Sequence, residues 1–144
     1  MQNKNITNVL EYLERSAERF PDKPAFSDEH NTLTFSELLR SARAVGSALL
    51  SVVEKGGPVV VYMEKSPAQV AAFLGVVYAG GFYVPVDTAM PAKRVQMILD
   101  TLEADVIIAD EASREKAEAL GFSGALLPAE ALMQSVPDEA GLAR

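Results

Sequence analysis

The chain has 144 residues, 49% of them apolar and 23% charged, and no cysteine. That length and composition suit one globular domain with its own core, which excludes wholesale disorder; the lack of cysteine excludes disulfides, thiolate-held zinc or iron–sulfur clusters and cysteine nucleophiles. The net charge of −7 argues against a nucleic-acid or anionic-membrane partner, and the excess acid lies in residues 101–144, which carry nine acids and three bases.

Met1-Gln2-Asn3-Lys4-Asn5 contains no apolar segment, so no signal peptide is read there. No apolar run approaches the roughly 20 residues of a membrane span. The expected location is cytoplasmic, and Met1 just ahead of the first helix is read as a native start. In that helix Ile6, Val9, Leu10, Leu13, Ala17 and Phe20 recur at helical spacing, with Glu14 and Glu18 on the wet face. Asn8 and Glu11 have capping-box spacing, and Pro21 stops the helix. Ala25–Ser27 and Thr32–Thr34 are two short extended pieces joined by a polar turn, Asp28-Glu29-His30-Asn31, which predicts a small hairpin.

A second capping box, Thr34-Phe35-Ser36-Glu37, opens the next helix. Its stripe is Leu38, Leu39, Ala42, Val45, Leu49, Leu50 and Val53, ended by Gly56-Gly57-Pro58. Val59–Met63 is a continuous apolar run, as in a strand covered on both faces. Ser66-Pro67-Ala68-Gln69 starts a third helix, with Val70, Phe73, Leu74 and Val77 as its apolar residues and Gly80-Gly81 at its end. A second apolar strand is Phe82–Val86. Pro91 begins a fourth helix with Val95, Ile98, Leu99 and Leu102 buried. A third strand is Val106–Ala109. A fifth helix carries Ala112, Ala117 and Leu120, with Gly121 as its cap. A short strand, Ala125–Leu127, and a short helix near Ala129–Met133 come last. Residues 135–144 read as a frayed tail or linker. The predicted fold is α/β and three-layered. A mostly parallel sheet carries helices on both faces and is preceded by an N-terminal helix and a small hairpin.

In open parallel sheets, sites lie beyond the carboxyl ends of the strands. The polar residues there are Glu64-Lys65-Ser66, Asp87-Thr88 and Asp110-Glu111. Each reads either as a helix cap or loop former or as a ligand group, and caps belong at these positions. Nucleotide signals are poor. No Gly-x-Gly-x-x-Gly comes after a strand, and the phosphate-loop spacing of Gly75 and Gly80 leads into Gly81-Phe82 rather than Lys-Ser/Thr. His30, the single histidine, lies in a polar turn and reads as an exposed loop residue. Tyr78, Phe82 and Tyr83 read as core or rim residues rather than a stacking platform. A phosphoacceptor reading of Asp87 lacks the acidic cluster that would hold magnesium.

Two stretches resemble the adenylate-forming enzyme superfamily, which includes nonribosomal peptide synthetase adenylation domains, D-alanine–carrier protein ligases and acyl-CoA synthetases. Leu33-Thr34-Phe35-Ser36-Glu37-Leu38 is similar to the family's early Leu-Thr-Tyr-x-Glu-Leu motif. Tyr78-Ala79-Gly80-Gly81-Phe82-Tyr83-Val84-Pro85-Val86-Asp87 resembles its Lys-Ala-Gly-Gly-x-Tyr-Val-Pro-(aliphatic)-Asp block. Pro91-x-x-Arg94 and the strand from Val106 resemble the family's Pro-x-x-Arg helix and aliphatic strand, in the same order. Tyr78 stands where lysine is common, and Thr88 and Met90 replace a proline and an aromatic residue. Asp87, where acyl-CoA synthetases often carry Asn, leans toward the amino-acid-activating branch.

The resemblance spans roughly residues 6–112 and implies that residues 1–134 are the N-terminal subdomain of an adenylation domain. The whole enzyme would use ATP and Mg²⁺ to join a carboxylate, an amino acid in this branch, to AMP. It would then load the acyl group onto the phosphopantetheine thiol of a carrier protein. An acyl- or aryl-CoA synthetase is the alternative within the family, and a short non-catalytic interaction domain the alternative outside it. The family's phosphate loop, magnesium ligands and catalytic lysine would all lie beyond residue 144. The chain alone is therefore expected to be inactive and to hold no catalytic, cofactor or metal residue. Thr34, Glu37, Gly80, Gly81, Tyr83, Pro85, Asp87, Pro91 and Arg94 are expected to be structural, with Asp87 and Arg94 close enough in sequence to pair. The expected partners are the remainder of the polypeptide and, for the whole enzyme, a carrier protein or CoA. An exposed apolar face is also expected, through which the isolated chain self-associates.

Overall fold

The structure, a computed structural model, describes residues 9–142. The capping box expected from Asn8 and the contribution of Ile6 lie outside the described residues. Helix α1 spans Val9–Arg19, and the hairpin strands β1 and β2 span Pro24–Ser27 and Thr32–Thr34. The core unit then alternates: α2 (Phe35–Leu49), β3 (Pro58–Tyr62), α3 (Pro67–Tyr78), β4 (Phe82–Pro85), α4 (Ala92–Leu102), β5 (Val106–Ala109), α5 (Arg114–Ala119), β6 (Ala125–Pro128) and α6 (Ala129–Met133). A one-turn helix, α7, covers Glu139–Leu142. Among the described residues no helix is long and apolar enough to cross a membrane.

Strands β3 to β6 form one parallel sheet in the order β4-β3-β5-β6. Alternation along β3 sends side chains to opposite faces. Val59 and Val61 join Ile108 in the core under α2, α3 and α6, where Val45, Val76 and Leu132 are also buried. Val60 and Tyr62 join Ile107 in the core under α4 and α5, with Val95, Leu99 and Ala117. The three-layer α/β architecture expected from the sequence is thus present. A third cluster, built from Leu13, Leu38, Ala42 and Ala71, packs α1 and the hairpin onto the outer side of α2 and α3.

Several local expectations change. The buried face of α3 is not its large side chains. Ala71, Ala72, Gly75 and Val76 are buried, whereas Val70, Phe73, Leu74 and Val77 are half-buried. The cause is close approach to α2. A Cβ on Gly75 would stand 2.5 Å from Val45 Cβ, and one on Gly46 would stand 2.7 Å from Tyr78 Cβ. Only small residues fit such a crossing. The apolar stripe of α1 is also narrower than its periodicity, for Leu13 and Ala17 are buried but Val9 and Phe20 are about half exposed. Glu14, read as wet, is half-buried: Tyr78 Oη donates to its Oε1 at 2.8 Å, and Arg43 lies 3.7 Å away. Burial pushes the Tyr78 phenol well above its usual range, with the Glu14 hydrogen bond adding to the shift. The fifth helix starts as one 3₁₀ turn, Glu111–Ser113, which leaves Ala112 exposed. Residues 138–142, read as a tail, fold back onto α2. Asp138 N–H donates to Ser47 Oγ at 2.6 Å, Glu139 lies 3.5 Å from Arg43, and α7 rests on α2.

The Thr34 capping box forms as read. Glu37 N–H donates to Thr34 Oγ1 at 3.2 Å and Thr34 N–H to Glu37 Oε1 at 3.0 Å. The Thr34 N–H, and then its hydroxyl, hold the Glu37 carboxyl below its ordinary pKa. A lowered carboxylate pKa contributes stability above the ordinary value and loses it as pH falls through the lowered one. Thr34→Ala is expected to cost about 1 kcal/mol of unfolding free energy in urea at neutral pH. The Thr34 N–H that chiefly lowers the Glu37 pKa is kept in this variant, so the difference from the unaltered chain should change little as the pH is lowered. A variant as stable as the parent at neutral pH would contradict this role.

Candidate functional site at the carboxyl ends of the strands

The sheet order places a switch point between β3 and β5. The chain leaves β3 for β4 on one side and returns to β5 on the other, so the loops after β3 and β5 part there. Asp110 ties those two loops together. Its Oδ2 accepts the N–H of Glu64 at 3.1 Å, and its Oδ1 accepts the N–H of Ser113 at 3.0 Å. One carboxylate thus caps the turn after β5 and anchors the turn after β3. Glu130 Oε2 accepts the N–H of Glu111 at 3.1 Å, which joins the end of β6 to the same region. Ser66 caps α3 by accepting the N–H of Gln69 at 3.1 Å. The Gln69 side chain donates to the Met63 carbonyl at 3.4 Å rather than closing a reciprocal box.

Beside this crevice lies a cavity of about 550 Å³ between the loop after β3 and the loop after β4, with Lys65, Gln69, Pro85 and Asp87 among its walls. Asp87 Oδ1 accepts the N–H of Ala89 at 2.8 Å, which turns the loop on itself. The Thr88 carbonyl accepts from Tyr62 Oη at 3.4 Å and from Lys116 Nζ at 3.3 Å. Burial raises the Tyr62 phenol above its ordinary pKa, and the nearby Asp87 charge adds to the effect. Tyr62 is therefore a neutral donor at physiological pH, and the loop is held from below by that phenol.

Of the strand-end residues singled out in the sequence, Glu64, Lys65, Asp87 and Thr88 border this cavity, and of the family-motif residues Pro85 and Asp87 do. Thr34 and Glu37 belong to the junction of the hairpin with α2. Gly80, at φ +86°, and Gly81 make the turn from α3 into β4, at the opposite end of that strand from Asp87. Tyr83 stacks on Phe73 with ring centroids 4.4 Å apart. Pro85 ends β4, an edge strand, where its missing N–H costs least. Pro91 precedes α4, and its carbonyl accepts the N–H groups of Arg94 and Val95. The expected Asp87–Arg94 pair is not formed. Arg94 lies exposed in the first turn of α4. Asp87 shapes its loop through the Ala89 amide instead.

The strand β4, read as an apolar strand with Phe82 and Tyr83 as core or rim residues, leaves these two 47% and 40% exposed at the sheet edge, so they are rim residues. Sequence reasoning missed Tyr62, hidden in an apolar run, and Glu130, whose partner lies 19 residues away. It read Asp110 as a cap and missed the bond to Glu64.

These donors do not fit a nucleoside triphosphate. Each strand-end loop lacks a glycine-rich turn. The side chains of Asp110, Ser66 and Asp87 already accept backbone N–H groups. The acids at the crevice, Glu64, Asp110, Glu111 and Glu130, would oppose polyphosphate. Among the described residues no three acids or histidines stand together as metal ligands would.

Four parallel strands in this order, with helices on both faces, make a doubly wound α/β unit. The chain belongs to the AMP-binding enzyme family, whose sequence profile matches residues 13–138. A D-alanine–D-alanyl carrier protein ligase from Listeria monocytogenes is 36% identical over 107 residues, which is 73% of this chain and 21% of that protein. Tyrocidine synthase 1 of Brevibacillus parabrevis is 36% identical over 118 residues, 81% of this chain and 11% of that protein. A solved benzoate CoA ligase from Burkholderia xenovorans aligns with a TM-score of 0.80 at 26% identity, over 93% of this chain and 30% of that one. The chain thus spans a minor part of the length of each relative.

Asp110→Ala removes the acceptor for two backbone amides and is expected to cost about 1–2 kcal/mol in a urea melt. Asp110→Asn keeps an oxygen for one amide and should recover part of the loss. Equal losses for both variants would show that the charge, not the bridging geometry, matters.

Proposed function

We propose that this chain is the N-terminal part of an ATP-dependent ligase that activates a carboxylate as its adenylate. The substrate class is an amino acid, and the acceptor is the phosphopantetheine thiol of a carrier protein. The observation that carries this reading is the 36% identity to a carrier protein ligase across 73% of the chain. The similar identity to tyrocidine synthase 1 supports it, as does aspartate at position 87.

Under this reading residues 1–134 are a scaffold subdomain and residues 135–144 lead toward the remainder of the polypeptide. ATP and Mg²⁺ serve the whole ligase and are held by that remainder. The absence of a phosphate cradle at the strand-end loops supports this division. Thr34, Glu37, Gly80, Gly81, Tyr83, Pro85, Asp87, Pro91 and Arg94 act as structural residues. The remainder of the ligase covers the exposed Phe82 and Tyr83, and the isolated chain self-associates through that face. The protein works in the cytoplasm. The likeness to a benzoate CoA ligase favours a second reading, in which the acid is aromatic and the acceptor is CoA.

The test is ATP–pyrophosphate exchange, run on the 144-residue chain and on the full-length gene product. The chain alone is expected to show none, and the full-length product to show exchange stimulated by an amino acid. Exchange by the chain alone would overturn the scaffold role. Stimulation by aromatic acids, with thioester formed on CoA, would transfer the protein to the second reading.

A further inference from the structure

The sequence around α7 is Pro137-Asp138-Glu139-Ala140-Gly141-Leu142. One helical turn is not stable by itself, because nucleation fixes several residues for one hydrogen bond. Inside it, Asp138 Oδ1 accepts the N–H of Gly141 and the Asp138 carbonyl accepts the N–H of Leu142, both at 3.0 Å. None of its residues is fully buried. The turn is therefore held from outside. Asp138 N–H donates to Ser47, Glu139 pairs with Arg43, and Leu142 reaches the surface of α2 at Gly46.

The same turn forms one wall of a cavity of about 280 Å³ between the ends of α2 and α3. Leu50, Val53, Tyr78 and Gly80 line the other side. Arg43 is shared: it stands 3.7 Å from Glu14 on α1 and 3.5 Å from Glu139 on α7. Glu14 is also held by the Tyr78 hydroxyl, so Arg43 has a firm partner on one side. The Glu139 side chain is 76% exposed, so its pair is the weaker one.

We propose that residues 137–142 are an ionic strap across the ends of α2 and α3, closed by Glu139 on Arg43 and able to open while the rest of the fold stays intact. Opening uncovers Leu50, Val53 and Tyr78 beside the turn that launches β4. It leaves Arg43 on Glu14, so α1 keeps its hold. A charged group that competes for Arg43 or Glu139, or added salt, shifts the strap toward open.

Hydrogen exchange of the 144-residue chain tests this, read at the Gly141 and Leu142 amides and across α1. Glu139→Gln, or a rise in salt from about 0.02 to about 0.5 M, is expected to quicken exchange at the two strap amides by about 2- to 5-fold, the range of an exposed ion pair. With Glu139→Gln, which leaves the Arg43–Glu14 pair in place, amides of α1 should not quicken. Arg43→Gln, which removes both pairs, should quicken α1 and the strap together. Three results would overturn the proposal: strap amides that exchange at the free-peptide rate in the unaltered chain, strap amides indifferent to Glu139→Gln, and equal quickening of α1 by Glu139→Gln.

Discussion

The structure depends on how closely α2 and α3 approach. Gly46 and Gly75 bring the two helices to backbone contact, and a Cβ at either would meet atoms of the other helix at 2.5–2.7 Å. Glycine inside a helix costs roughly 1 kcal/mol relative to alanine, so two of them at one crossing are an expense that contact must offset. The contact sets where α3 lies on β3, and thereby where α3 ends. At that end Gly80 takes φ +86°, Gly81 fits against the Gly57 carbonyl, and β4 is launched along β3. The loop carrying Asp87 comes directly after. A shift of α3 would move the whole block from Gly80 to Asp87.

Periodicity and capping rules make most of the fold legible. The buried strands β3 and β5 are unbroken apolar runs, and the sequence places both within a residue of their ends. The Thr34–Glu37 box and the Ser66 cap are visible because their chemistry is local. The face of α3 is not. Hydrophobic periodicity selects Val70, Phe73, Leu74 and Val77, whereas the contact with α2 selects the small residues between them. The signal is present in Gly46 and Gly75, two glycines in helix interiors, but by spacing alone Gly75 reads only against a phosphate loop. The β4 strand is legible as apolar, but nothing local says whether Phe82 and Tyr83 lie in the core or at an edge. The Asp87–Arg94 pair fails for a similar reason. Closeness in sequence does not orient a side chain, and the nearer Ala89 amide takes the carboxylate. The 135–142 segment reads as a tail because its contacts, Ser47 and Arg43, lie about ninety residues away.

The candidate site is legible only as a place. Sheet order marks the strand ends, and Glu64, Asp87 and Asp110 are visible there in the sequence, whereas Tyr62 and Glu130 are not. Their occupation is not visible either, because the bonds from Asp110 to Glu64 and from Glu130 to Glu111 join separate loops. In these bonds the carboxylates of the strand-end loops are taken up by backbone amides of neighbouring loops. The loops hold one another in place. Under the proposed function, the ligase chemistry belongs to the remainder of the polypeptide, and this chain supplies the sheet and its edge.

The claim at the centre of the account is that the crossing at Gly75 holds the α/β unit together, and a urea melt of Gly75→Ala tests it most directly. The added methyl has no space against Val45 and should destabilise the chain by about 1–3 kcal/mol, the usual cost of overpacking. A Gly75→Ala chain with an unchanged or raised unfolding midpoint would contradict it, since alanine's helix propensity would then have outweighed any clash.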